Sequence, residues 1–181
     1  MHSIPEMDEE SMQLSSQALS CLNQIFCWIP SCHYHQINNS LLAAIFVFAT
    51  FSSSNNQALN YEKCNYGQIG AQAMSCINEL MSKNYISIES TQFIFHIFQN
   101  TFHLLQKLIK NDKSCPKEVD FKCHHQDYID KFTEFLRIFI SSHFQKFEDV
   151  PSFPLMEFLG LLFQYTFIQT SCDSFISALE I

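Results

Sequence analysis

Glycine, proline and charge are all scarce in this chain. Only 3 Gly and 5 Pro occur in 181 residues. So few turn formers argue against an all-β sandwich or barrel, which needs a tight turn every ten residues or so. Three glycines could hardly build a phosphate cradle, and neither GxGxxG nor GxxxxGK[ST] is present. Charged residues make up 15%, against the ~25% usual for soluble domains. A chain this short of charge covers little of its own surface with it. It is expected to carry apolar surface meant for something outside itself. The charge it has is mostly negative, with 10 Lys+Arg against 18 Asp+Glu and a net charge of −8. Its nearest approach to a basic cluster is Lys107, Lys110 and Lys113. That is too little to displace counterions from nucleic acid, so nucleic acid is not an expected partner. A basic or mixed protein surface is.

Long apolar runs are missing too. The richest, Leu41–Phe51, falls short of the ~18 residues of a membrane span. The start, MHSIPEMDEESM, is polar and acidic, unlike a secretory signal. No GxSxG elbow, HExxH or Cys-Gly protease box is found, and the chain is read as no enzyme. No cofactor is expected.

What is abundant is hydrophobic mass, at 47% with 19 Phe. A chain of this length removes roughly 70% of its unfolded surface from water. The 3.6-residue period predicts six helices. The first spans Ser11–Ile29, with the stripe Leu14, Ala18, Leu22, Ile25 and Ile29, and Pro30 ends it. The second follows Asn38-Asn39-Ser40, any of which can cap it, and runs to Phe51 with Leu41, Leu42, Ile45, Phe46 and Phe48. The third covers Gln68–Ser82 with Ile69, Ala73, Ile77, Leu80 and Met81, and Asn84 can close it. The fourth, Thr91–Lys110, has a wide stripe of Ile94, Ile97, Phe98, Thr101, Leu105, Leu108 and Ile109. The fifth, His125–Phe147, aligns Tyr128, Phe132, Phe135, Leu136, Phe139 and His143, with Asp127 and Lys131 as an i,i+4 pair. The sixth starts with Pro154 in its first turn and runs to Gln169 with Leu155, Phe158, Leu159, Leu162, Phe163 and Thr166. Residues 171–181 can begin a seventh.

Stretches 52–66 and 111–123 read as long loops, and residues 1–10 as a polar acidic start. The fold class is all-α, with helices 2–3 and 4–5 as hairpins and a single helix at each end. Wide apolar faces suit helices packed on both flanks, as in a HEAT-like α-solenoid over residues 11–181. A closed bundle fits the same period. In the solenoid, the terminal helices leave apolar faces open, and the isolated chain is poorly soluble or self-associating.

Eight cysteines are present. Cys21, Cys27 and Cys76 fall in apolar helical patterns and read as small hydrophobes in a reducing compartment. Two clusters have zinc-like residue types: Cys27, Cys32, His33 and His35, then Cys115, Cys123, His124 and His125. Neither contains a CxxC knuckle, so helix ends and loops are the plainer reading and no metal is assigned. His96, His103 and His143 read as packed or edge residues. Trp28 reads as a packing anchor, and the Phe132–Phe147 ladder as core.

Six ordered blocks carry a resemblance. CWIP (27–30), with Trp28, Ile29 and Pro30 as a structural signature, precedes SLLAAIF (40–46) and AMSCINELMSKN (73–84). DYIDKFTEFLRIFIS (127–141) and FPLMEFLGLLFQYTF (153–167) follow, with TFHLLQK (101–107) between. This order resembles the exportin branch of the importin-β (karyopherin) superfamily. The resemblance implies HEAT repeats and Ran-GTP-dependent export of protein cargo from nucleus to cytoplasm. The member whose later blocks are most similar implies profilin–actin as that cargo. Exportins are much longer, and their main Ran-binding repeats lie in an amino-terminal part this stretch does not match. An internal or truncated portion is therefore expected. The rival readings are a cytoplasmic α-solenoid scaffold with no Ran cycle and a small helical zinc protein.

Overall fold

The computed structural model describes residues 8–50, 62–83, 91–112, 124–147 and 154–167, with 176, 179 and 181. Among them the chain is all-α. α1 (Glu9–Trp28) is followed by a 3-10 turn (Ser31–Gln36), α2 (Asn39–Thr50), α3 (Glu62–Met81) and α4 (Thr91–Asp112). α5 (His124–Ile138) then passes without a break through a π segment (Phe139–His143) into α6 (Phe144–Phe147), and α7 (Leu155–Phe167) closes the order.

Local chemistry sets the helix ends. Asp8 caps α1 by accepting from the Ser11 N–H at 2.9 Å, and Glu9 and Glu10 fill the positive first turn. That hydrogen bond holds the Asp8 carboxyl below its ordinary pKa. At the other end Ile29 turns extended, as the residue before a proline must. The Lys83 ammonium donates to the Cys27 carbonyl at 2.7 Å, placing a cation on the last orphan carbonyls of α1. Asn38 caps α2 through the Ser40 N–H at 2.7 Å. Pro154 sits just before α7 rather than in its first turn, and its carbonyl accepts from the Phe158 N–H.

α3 is the middle of the array. It packs against α1 on one side and α5 on the other, and pairs with α2. Ile69, Gly70, Ala71, Ala73, Met74, Cys76, Ile77, Leu80 and Met81 are all buried. The small members of that set let neighbouring backbones approach closely. α1, α3 and α5 thus form one layer. α2 packs on α3, and α4 contacts α7 and stacks its rings on the α5–α6 rod, giving a second layer. α2 and α3 pair as expected, whereas α5 packs mainly on α3 and α4 meets the rod through the rings of the rod's later part; the stack is an all-α solenoid segment.

The phenylalanine ladder is core. Phe98 of α4 stacks on Phe139 at 4.6 Å and meets Phe158 of α7 edge-on at 5.3 Å. Phe139 also meets Phe147 and Phe158 at 5.7 and 5.6 Å. In the π segment the Phe144 N–H bonds back to the Phe139 carbonyl. The wider turn keeps Phe139, His143 and Phe147, each four residues apart, all buried; in a straight α-helix that row drifts off the face. Periodicity placed the α5–α6 rod within one residue but not its π turn.

Several expectations need correction. α3 starts at Glu62, inside the stretch 52–66 read as a loop, because a polar first turn carries no apolar period. α4 likewise runs to Asp112. The buried line of α1 is Met12, Leu19 and Phe26, while Leu14, Ala18 and Ile25 face out. On α7, Leu159 and Phe163 are exposed, and Phe158, Leu162, Tyr165 and Thr166 are the buried line. Both helices have apolar residues on two faces, and composition cannot say which face meets the neighbour. Lys131 pairs with Glu134 at 2.9 Å rather than with Asp127. Exposed alternatives of this kind differ by only a few tenths of a kcal/mol. Residues 1–7, 52–61, 113–123 and Asn84, and most of the expected seventh helix, lie outside the described residues.

Phe139→Ala, which empties the centre of the ring cluster, is expected to cost about 3–5 kcal/mol in chemical denaturation. Phe163→Ala, on the open face of α7, is expected to stay within about 0.5 kcal/mol.

Candidate interaction surface

A reactive centre would need nucleophile, base and orienting group in reach of one another. The buried titratable groups are poor candidates. Cys76 donates its S–H to the Leu19 carbonyl at 3.3 Å, tying α3 to α1. Burial, aided by the nearby Glu79 charge, pushes its thiol up to about 12. Burial raises the phenols of Tyr34 and Tyr128 as well. His143, in the π segment, reaches the Met81 carbonyl at 2.7 Å. Since a carbonyl only accepts, Nε2 carries the proton there, and the bond satisfies an orphan carbonyl at the end of α3. Asn78 donates to the Lys131 carbonyl at 2.9 Å, and Thr133 and Tyr165 share a 2.8 Å hydroxyl bond. These polar groups tie helices together.

The members of the first Cys/His cluster do not converge. Tyr34 is buried against Phe93 while its neighbours Cys32, His33 and His35 face solvent. His33 Nδ1 meets Gln36 Nε2 at 3.3 Å. No three His, Cys, Asp or Glu among the described residues sit where one metal ion could be held. Cys115 and Cys123 lie outside them, and His124 and His125 open α5. Cys21 and Cys27 are exposed, not the small hydrophobes expected. Trp28 is 86% exposed, so it anchors nothing among the described residues; Ile29 beside it is half-buried. No helix among the described residues is long and apolar enough to cross a membrane.

What remains is surface. The exposed side of α4 is a polar ridge of Gln92, His96, Gln99, His103 and Lys107. The exposed side of α5 is charged, with Asp127, Asp130, Glu134 and Arg137. One shallow depression lies between α2 and α4, lined by Phe46, Thr50, Asn100, His103, Leu104, Gln106 and Lys107. Another runs along the end of α1, past Cys21, Gln24, Ile25 and Trp28 to Pro30. Such surfaces are of a kind that can hold a partner. In the sequence Leu14, Ala18 and Ile25 of α1 read as its apolar stripe; that this stripe faces out and that Met12, Leu19 and Phe26 face in was missed. The signal was there, since the helix carries two apolar lines, one of which had to be outside.

Comparison with known proteins bears on which partner. Exportin-6 of Mus musculus and of Homo sapiens are each 41% identical over 98% of this chain. Exportin-6 of Dictyostelium discoideum is 30% identical over 95%. This chain is an exportin-6 homologue. The resemblance carried by the ordered blocks therefore stands. The chain spans about 16% of the length of the mouse and human proteins. No family model matches it, and no solved structure does.

The three raised groups set an alkaline limit. Each is an acid whose neutral form burial favours, so its folded pKa exceeds the unfolded value of 9.0 for a thiol or 10.0 for a phenol. The stability they contribute is complete below the unfolded values and is lost as pH rises, for Cys76 towards about 12. Helicity is expected to fall with a midpoint above pH ~9. At pH ~8, maleimide should label Cys21, Cys27 and Cys32 quickly and Cys76 only on unfolding; equal rates would contradict the burial of α3.

Proposed function

We propose that this chain serves nuclear export, as part of a receptor that carries protein cargo from nucleus to cytoplasm under control of Ran-GTP. The observation that carries the reading is the 41% identity to mouse and human exportin-6 over 98% of the chain. The cargo is profilin–actin, and the repeats are of HEAT type. The stack of α1, α3 and α5 supplies a framework, and its exposed faces are the contact surface. Work of this kind is recognition, not catalysis, in keeping with buried polar groups that join helices. A shuttling receptor of this kind works in both nucleus and cytoplasm.

The rival reading is an α-solenoid scaffold with no Ran cycle. Retention of profilin–actin from solution separates the two, measured on the full-length gene product with and without Ran-GTP. The receptor reading expects Ran-GTP to raise retention by about 5- to 150-fold, the usual range of allosteric coupling. Retention unchanged by Ran-GTP would leave the scaffold.

A further inference from the structure

α2 and α4 together form a face without acid. α2 has no charged residue, and α4 has no Asp or Glu from Thr91 to Lys110, although the chain carries a net charge of −8. The depression between the two helices has a volume of about 420 Å³. Phe46 and Leu104, both buried, line it with apolar surface, and Thr50, Asn100, His103 and Lys107 line it with polar groups. Both walls are helices of this chain, and α4 is in turn packed on α7. The depression is thus no bare end of the stack, unlike the outer sides of α1 and α7.

Lys107 supplies the charge of the site. The Lys83 ammonium is held by the Cys27 carbonyl and the Lys131 ammonium by Glu134. Lys107 is exposed and has no hydrogen-bond or ion-pair partner among the described residues. One carboxylate does reach a lining residue: Glu157 of α7 accepts from Gln106 Nε2 at 2.8 Å. A carboxylate only accepts, so this bond orients the Gln106 amide, and its Oε1 accepts from His103 Nδ1 at 3.3 Å. Glu157 is engaged there and makes no ion pair with Lys107. An unmatched ammonium beside an apolar wall selects a carboxylate that has an apolar neighbour. Gln92, His96 and Gln99 continue the exposed row of His103 and Lys107 along α4. The row is roughly 22 Å long at ~1.5 Å per residue. Amide side chains at intervals along it can hydrogen-bond a peptide backbone, so the row suits a polypeptide better than a small acid. A nucleic acid would need clustered cations, which the row lacks.

We propose that this depression docks an acidic segment of a protein partner, with a carboxylate on Lys107 and an adjacent apolar side chain on Phe46 and Leu104. The proposal rests on the reading of the exposed faces as contact surface and names the chemistry that one of them takes. The probe is a labelled short peptide of Glu, Leu and Ala, beside an analogue with Gln in place of each Glu. Fluorescence anisotropy is read on the full-length gene product, without Ran or cargo. The acidic peptide is expected to bind, less well as salt rises, and the analogue about 10-fold more weakly. Lys107→Glu is expected to weaken binding about 10-fold, Lys107→Arg by less than about 3-fold and Lys131→Glu on α5 by less than about 2-fold. Lys107 is exposed, so an unchanged circular dichroism spectrum would show that the fold survives. A carbodiimide should join Lys107 to a peptide carboxylate, identified by peptide mass. Three results would overturn the proposal. One is the same signal from both peptides, bound or unbound. Another is a Lys107→Glu variant that binds as well as the Lys131→Glu variant. The third is Lys107 joined to a carboxylate of its own chain in place of the peptide's. The receptor reading fails separately. Profilin–actin retention unmoved by Ran-GTP, with the acidic peptide still bound through Lys107, would remove that reading and leave the docking site.

Discussion

The burial of α3 between α1 and α5 is the constraint on which the rest of this structure depends. A helix flanked on two sides and paired with a third cannot keep a polar half. α3 accordingly spends most of its length on apolar or small residues, with Ile69, Ala73, Met74, Cys76, Ile77 and Leu80 nearly or wholly out of water. Burial on this scale supplies the hydrophobic drive for the stack. Two of its polar side chains reach a neighbouring helix. The Cys76 thiol meets a carbonyl of α1, and the Asn78 amide meets a carbonyl of α5. Hydrogen bonds of this sort add little net stability, but leaving them unmade is costly. They favour one sliding position of each helix against the next, which apolar contact alone does not.

The aromatic cluster depends on that positioning. Phe98, Phe139 and Phe158 come from three different helices and meet within 4.6–5.6 Å. Ring packing at such distances is directional, so a shift of α5 along α3 would spoil several contacts together. The π segment adjusts the α5–α6 rod to serve both neighbours. Ahead of it, Tyr128, Phe132 and Phe135 follow ordinary helical spacing. Within and after it, Phe139, His143 and Phe147 stay inward, and His143 finishes the end of α3. A histidine in the middle of a phenylalanine row thus has a structural role that its position alone does not disclose.

How much of this was legible follows from which helices have one apolar face and which have two. The stripes read for α4 and α5 are buried residue for residue, because each has a single wide apolar side. α1 and α7 alternate apolar residues around the barrel of the helix. Choosing between Leu14–Ile25 and Met12–Phe26, or between Phe163 and Tyr165, requires knowing where the neighbour lies. The same ambiguity misplaced Trp28, whose size suggested an anchor and whose face is open. Helix starts were short by a turn where that turn is polar. Family membership was legible for a different reason: ordered blocks such as CWIP and AMSCINELM persist as sequence whether or not their faces are correctly assigned.

Of the described helices, α1 and α7 are the ones with apolar residues on two faces of which one is open. In a layered array an interior helix needs apolar residues on two sides, and α3 shows both sides used. α1 and α7, of similar design, show one side used and one bare of described neighbours. α1 and α7 are therefore built as interior helices, while their outer sides, with Trp28 at 86% and Met156 at 81% exposure, meet no described residue. Exposed Leu, Ile, Phe and Trp in contiguous rows are unfavourable for a protein alone in water, and the scarcity of charge between Ser11 and Tyr61 removes the usual means of keeping such a face apart from others. A face apolar in its row and neutral at its edges discriminates poorly by charge and strongly by shape.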